Sequence, residues 1–307
     1  MHWRLKGILQ GSISLLPGSS RMNRMLQVRF GGLRDPEKEI DTKVVSDWLV
    51  LASHLRDLSL QPAGLVFLEV GTGWYPTLPV CFALAGAAAV ETYDQTLHLD
   101  DPLTWRMIRR LDVHVESLAT ATGQEAESVR ARYRRLLAAR STEEMLATAG
   151  IRYHAPADAT DTGLPGESVD IVFSNSVLEH VTPAALGDIM TESARVLRRG
   201  GHAIHSVNCG DHYAYADPSI TQVHYLRYSD RHWRLWNNRL LYQNRLRAPD
   251  FVRAAEAAGL TTVFTHVRPK AELVAEVAAM RLPQRFKGYA LEELAVTSID
   301  LVVRKAQ

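Results

Sequence analysis

The sequence predicts an α/β fold in which short strands alternate with helices and most strands run parallel in one sheet. Two observations carry that prediction. Apolar runs of five or six residues recur, such as Leu65-Val66-Phe67-Leu68-Glu69-Val70 and Val169-Asp170-Ile171-Val172-Phe173-Ser174, which is how strands buried on both faces read. Between them lie helix-length segments with apolar residues at i, i+3 and i+4 spacing, opened and closed by Pro and Gly signals.

Taken in order, residues 1–60 read as a helical lead-in ending at the Gln61-Pro62-Ala63-Gly64 turn, and residues 61–307 as the main domain. Within the first segment Trp3, Leu5, Ile8, Leu9, Ile13 and Leu15 form an amphipathic stripe beside Arg4 and Lys6. It suits a helix packed on its own domain, or one docked on a membrane surface or a partner. The strand at 65–70 is followed by a glycine turn, a helix from about Thr77 to Ala88, and a second strand at 89–93. This is a βαβ unit, right-handed by rule.

Residues 96–150 are too long for an ordinary crossover and contain two helical patterns, one around Trp105, Ile108 and Leu111, the other around Val129, Tyr133 and Leu136. We read an inserted helical pair that acts as a lid, a homodimer surface or a packing brace. Strands follow at 151–154 and 169–174. Thr182 and Pro183 cap a helix that runs to Gly200-Gly201. A fifth strand covers 202–207, an aromatic-rich insertion 208–247, a helix 250–258, a sixth strand 261–267, and a last strand 295–303.

Composition excludes several classes. The 307 residues carry a formal charge of +1, so no global field favours nucleic acid or an anionic membrane. With 46% apolar and 22% charged residues the chain is not extensively disordered. No stretch approaches the roughly 20 apolar residues that cross a bilayer, and the N-terminal apolar run is broken by Gln10, Gly11, Ser12 and Ser14, unlike a signal peptide. The two cysteines imply no disulfide or metal framework. These features suggest a cytoplasmic protein, and the Ala- and Arg-rich, Lys-poor composition suggests a GC-rich bacterial genome.

The chemistry gathers at strand ends. Glu69-Val70-Gly71-Thr72-Gly73-Trp74-Tyr75-Pro76 places a glycine turn directly after a buried strand, which lets backbone approach a ligand. Dinucleotide enzymes use G-x-G-x-x-G, but Pro76 stands at the third glycine and removes a donor, which weakens a nicotinamide oxidoreductase reading. A cofactor with an amino-acid tail and no phosphate fits better: Glu69 offers an acceptor for its ammonium group. Asp94, after the second strand, offers one for ribose hydroxyls. Asp158, after the third strand, can accept from an adenine amine. Each also has a bland role: Asp94 as a strand-end turn residue and Asp158 as a turn former.

The ordered run E-V-G-T-G, Y-D, D-A-T-D, D-I-V-F-S-N-S-V-L-E-H-V and V-L-R-R-G-G over about residues 65–207 resembles class I S-adenosylmethionine-dependent methyltransferases. The resemblance implies a Rossmann-like fold with a seven-stranded, mostly parallel sheet and an antiparallel last strand, with S-adenosylmethionine as cofactor. It implies that Glu69, Gly71, Thr72 and Gly73 line the methionine moiety, Asp94 the ribose, and Asp158 with Ala159 the adenine, and that Asn175 lies beside the sulfonium. The chain departs from the family where Tyr75 replaces its usual third glycine. A non-catalytic binder of the cofactor would share all these features.

For the acceptor, the sequence suggests a small molecule or glycan methylated on oxygen, with a histidine base. His212, after the fifth strand, is the leading candidate with Asp211 as orienter. His180 is a second candidate that serves equally as a helix cap. Trp233, Tyr242, Asn244 and Arg245 in the aromatic-rich insertion would form a substrate wall, or else pack against the fold. No metal is required by this chemistry.

Overall fold

The computed structural model describes residues 1–14, 16 and 35–307. Leu15, one member of the apolar N-terminal stripe, lies outside the described residues. Seven strands form one sheet: β1 (Val66–Val70), β2 (Ala89–Tyr93), β3 (Ile151–His154), β4 (Val169–Asn175), β5 (Leu197–Asn208), β6 (Leu260–Val267) and β7 (Ser298–Lys305). Their order is β3-β2-β1-β4-β5-β7-β6. Every neighbouring pair is parallel except the two made by β7, which runs antiparallel to both β5 and β6. This is the class I methyltransferase sheet.

Helices α1 (Trp3–Ser14), α2 (Pro36–Thr42) and α3 (Leu49–Asp57) precede the sheet, with a π-helical segment (Lys43–Trp48) joining the last two. The α4 helix (Thr77–Leu84) is buried on every side, as a helix apolar all round must be. It stops short of the expected Ala88 because Gly86 takes a left-handed φ of +87°. The insertion after β2 folds as α5 (Asp101–Arg110), α6 (Val115–Thr122), α7 (Ala126–Leu137) and α8 (Thr142–Thr148). Then come α9 (Pro183–Val196), α10 (Asp230–Trp233), α11 (Ala248–Ala257), α12 (Ala271–Ala278) and α13 (Leu291–Ala295). The α9 helix ends at Val196 rather than at the glycine pair, and Gly200-Gly201 sits inside β5 next to a shift of register with β4.

Period-two alternation sends successive strand residues into two cores. Phe67, Phe173, Ile204 and Val302 face one side, where Phe82 of α4 stacks on Phe67 at 4.3 Å between ring centres. Leu68, Val172, Ala203, Leu301 and Val303 face the other side, against α9 and α11. The inserted helices deliver Met107, Ile108, Leu118, Val129, Tyr133 and Met145 into the first core, so residues 101–148 brace the domain.

A third core holds Trp3 with Tyr213, Tyr225, Trp233 and Phe286. The α1 helix packs here through Trp3, Gly7, Gln10 and Ser14 and leaves Leu5, Ile8 and Leu9 exposed. Among the described residues of the stripe read from the sequence, Trp3 alone is fully buried. The close approach requires Gly7, whose Cβ would lie 2.9 Å from the Trp236 ring and 3.0 Å from the Tyr213 hydroxyl. Among the described residues no helix is long and apolar enough to cross a membrane.

Candidate active site

The carboxyl ends of β1 to β5 frame one continuous cleft, where ligands gather in open α/β sheets. The glycine turn after β1 sets its floor. Gly71 has φ +86°, and a Cβ there would lie 2.4 Å from Cγ2 of Val177, so the turn cannot carry a side chain. Gly73, at φ +77°, faces open space. Its N–H donates to Asp94 Oδ2 at 2.7 Å, which fixes that carboxylate at the end of β2. Burial pushes the Asp94 carboxyl above its ordinary value, opposed by the Gly73 N–H.

Asp94 also anchors the next segment, because its carbonyl accepts from Ala157 N at 2.9 Å. Asp158 follows and is exposed; its Oδ1 accepts from Thr160 N and Oγ1 at 2.9 and 2.8 Å. Asp94, Asp158, Ala159, Val177 and His180 line a cavity of about 250 Å³. It opens into a second, of about 400 Å³, lined by Gly71, Thr72, Gly73, Asp94 and Asn175 together with Lys43 and Asp47. A third, of about 490 Å³, continues past Asp47, Asn175 and Ser176 to Ser206, Asn208 and Asp300.

Glu69 does not line any of these cavities. It is 2% exposed and accepts from Thr92 Oγ1 at 2.5 Å, and Thr92 in turn shares a short hydrogen bond with the Thr72 hydroxyl at the cleft. The carboxylate expected to meet the ligand directly therefore sits two hydroxyls behind it. Burial pushes Glu69 up to about 8. Tyr75 is core, its ring under the Lys43 ammonium at 5.6 Å, and Trp74 packs against His98 at 5.2 Å.

Asp47 and Lys43 were missed in the sequence. They sit on the π-helical segment, and such segments are frequent at functional sites. Asn175 Nδ2 donates to Asp47 Oδ2 at 3.0 Å, at the junction of the second and third cavities. Ser176, lining both, holds a left-handed φ of +55°. Burial, with smaller contributions from Glu39 and Asp300, raises Asp47 to about 6 against the pull of Lys43 and the Asn175 amide.

The histidine and aromatic expectations need correction. His212 lines none of the cavities: its ring packs on His180 and Tyr215 at 5.0 and 5.7 Å, and its Nε2 is buried without a partner. Burial lowers it to about 3. Asp211 does not orient it, since its carboxylate accepts from Tyr213 N and pairs with His224 Nδ1 at 3.1 Å. His180 does reach the cleft, and its Nδ1 is 2.7 Å from the Tyr242 carbonyl.

Trp233, Asn244 and Arg245 are buried and form no substrate wall. Arg245 spends its donors on the Tyr225 and Tyr228 carbonyls and on Asp230. The Asn244 amide holds the turn after β4 through the carbonyls of Leu178 and Val181. Tyr242, half-buried, lines none of these cavities and contributes its carbonyl to His180.

Residues 117–205 match the family described as "Methyltransferase domain". The match begins inside the braced insertion and ends in β5, so the glycine turn lies outside it. Solved structures similar to this chain include a geranyl diphosphate methyltransferase in complex with SAM, at 14% identity over 88% of this chain and 90% of that one, TM-score 0.48. Another is the geranyl diphosphate C-methyltransferase from Streptomyces coelicolor A3(2), at 16% identity over 88% and 83%, TM-score 0.47. A third is an S-adenosylmethionine-dependent methyltransferase from Mesorhizobium loti, at 15% identity over 82% and 96%, TM-score 0.41. No curated protein matches the chain.

The chain thus pairs a match to a methyltransferase domain over residues 117–205 with a sheet in the strand order of class I S-adenosylmethionine-dependent methyltransferases. The cleft suits that cofactor: open space at Gly73, a fixed carboxylate at Asp94 and an accessible one at Asp158 are compatible with an adenosyl amino acid.

Proposed function

We propose that this chain is an S-adenosylmethionine-dependent methyltransferase that methylates a hydroxyl group of a polar small molecule or sugar, with Asp47 as the proton acceptor. The observation that carries the reading is the Asp47–Asn175 pair, which borders both the cofactor end of the cleft and the 490 Å³ cavity beyond it. That cavity is lined by hydroxyl, amide and carboxylate groups from Ser206, Asn208, Tyr215, Gln222 and Asp300, with Lys270 at its edge. Such groups suit an acceptor rich in hydroxyls.

When bound, S-adenosylmethionine supplies a methyl group already activated by the sulfonium. The chain's residues then have two tasks. Asp94 would hold the ribose, Asp158 with Ala159 the adenine, and Thr72, backed by Thr92 and Glu69, the amino-acid end. Asp47 would take the hydroxyl proton as the acceptor oxygen attacks, held in place by the Asn175 amide. A carboxylate whose pKa is about 6 is ionised at neutral pH yet more basic than a solvated aspartate. It replaces the histidine base expected from the sequence, since the buried Nε2 of His212 cannot meet an acceptor.

The test is a screen of sugars and hydroxylated metabolites for release of S-adenosylhomocysteine, with mass detection of a 14-Da gain, roughly the mass of one CH2. Methylated product at oxygen supports the reading. Product methylated only at carbon or nitrogen overturns the acceptor assignment.

A further inference from the structure

We propose that Glu179, His180 and His212 form a binding site for a divalent first-row transition metal, of the zinc type, beside the cofactor cleft. Each offers one ligand atom, and the three atoms lie within 4.8 Å of one another. Two of the three are poorly satisfied in the fold. Glu179 is 1% exposed, and its carboxylate oxygens accept no well-aligned hydrogen bond, the backbone N–H groups of Glu179 and Asn208 being the donors that approach them. A buried carboxylate so weakly satisfied is costly, and that cost is offset when a cation occupies the space. Nε2 of His212 is buried too, and it has no partner.

The third ligand is oriented as metal-bound histidines are. A carbonyl can only accept, so the 2.7 Å contact of His180 Nδ1 with the Tyr242 carbonyl puts the proton on Nδ1 and leaves the lone pair on Nε2. Donation of the second ring N–H to a backbone carbonyl is the usual outer-shell arrangement at metal centres. The backbone is braced as well: Asn244 N donates to the Glu179 carbonyl at 2.9 Å, and its side chain ties down Leu178 and Val181.

Two imidazoles and a carboxylate suit zinc, cobalt or iron better than magnesium or calcium. Ligand atoms around such an ion stand about 3.3 Å apart, given bond lengths of about 2.0–2.2 Å, so modest side-chain rotation draws the trio together. His180 lines both cavities of the cleft, so the site lies directly beside it. This inference does not depend on the acceptor proposed above, because it is read by binding and not by turnover.

The experiment uses the full chain, stripped with a chelator and titrated with Co2+ and Zn2+. One equivalent of Co2+ should bind and develop visible d–d absorption, and Zn2+ should displace it. E179Q and H212A should each weaken binding at least about tenfold, while H232A, at an exposed histidine, should leave it unchanged. Melting curves of the stripped variants report whether they fold. Absence of stoichiometric binding by the folded wild type, or equal binding by E179Q and H212A, overturns the proposal and leaves Glu179 as an uncharged carboxylic acid.

Discussion

Asp47→Asn removes the proposed proton acceptor while keeping its shape and its contact with the Asn175 amide. The wild-type carboxyl is raised to about 6 by burial, with Glu39 and Asp300 adding to the shift and Lys43 and Asn175 opposing it. At pH 7 about nine-tenths of the enzyme would carry the ionised base, and at pH 5 about one-tenth. The rate with a hydroxyl acceptor should therefore fall about tenfold from pH 7 to pH 5. An aspartate at the ordinary value of 3.8 would give almost no change over that range. In D47N, kcat should drop by about 10²–10⁴-fold and the acidic limb should vanish, with affinity for S-adenosylmethionine kept within about threefold. Initial rates of S-adenosylhomocysteine release across pH, with calorimetric cofactor binding, measure both. Turnover in D47N near the wild-type rate, with the same pH profile, would refute the assignment.

Asp94→Ala deletes the acceptor of the Gly73 N–H and the proposed ribose partner. The rise in melting temperature that saturating S-adenosylmethionine gives the wild type should disappear, as scanning fluorimetry would report. Gly71→Ala forces a side chain into a left-handed φ and against Val177 at 2.4 Å. It should cost about 2–4 kcal/mol, lowering the melting temperature by at least about 5 °C; an unchanged melt would show that the turn relaxes. Glu69 has a folded pKa raised from 4.5 to about 8 by burial. Its stabilising contribution is complete below the unfolded value and is lost as pH rises through about 8. Without cofactor, Glu69→Gln should therefore lose less stability than wild type between pH 5 and pH 9, by an amount on the order of a few kcal/mol; equal slopes in urea titrations would contradict this.

Much of the sheet was legible because its signals are local. The strands β1 and β4 are short apolar runs, and the ends of β1 and β2 carry Gly71 and Asp94 within a residue of the strand. The helix carrying Lys43 and Asp47 gave no such signal. A polar residue on an amphipathic helix reads as solvent-facing, and only the fold brings Asp47 to Asn175, 128 positions away. The segment containing Trp233 and Arg245 misled for a related reason. Aromatic rings beside guanidinium groups look alike whether they face a ligand or one another, and here the carbonyls of Tyr225 and Tyr228 consume the arginine. Asp300, a carboxylate among the apolar residues of β7, lines the third cavity together with Asn175.

The seat of Trp3 bears on how the protein is made. Its backbone N–H donates to the Asp217 carboxylate across 214 positions, and its ring lies 4.9 Å from that of Trp236. Synthesis runs from the N-terminal side, so this indole has no pocket until the segment carrying Asp217 and Trp236 has been translated. Closing so long a loop is entropically slow. During that interval the greasy first turn is bait for a holding chaperone, and its docking should be among the last events of maturation.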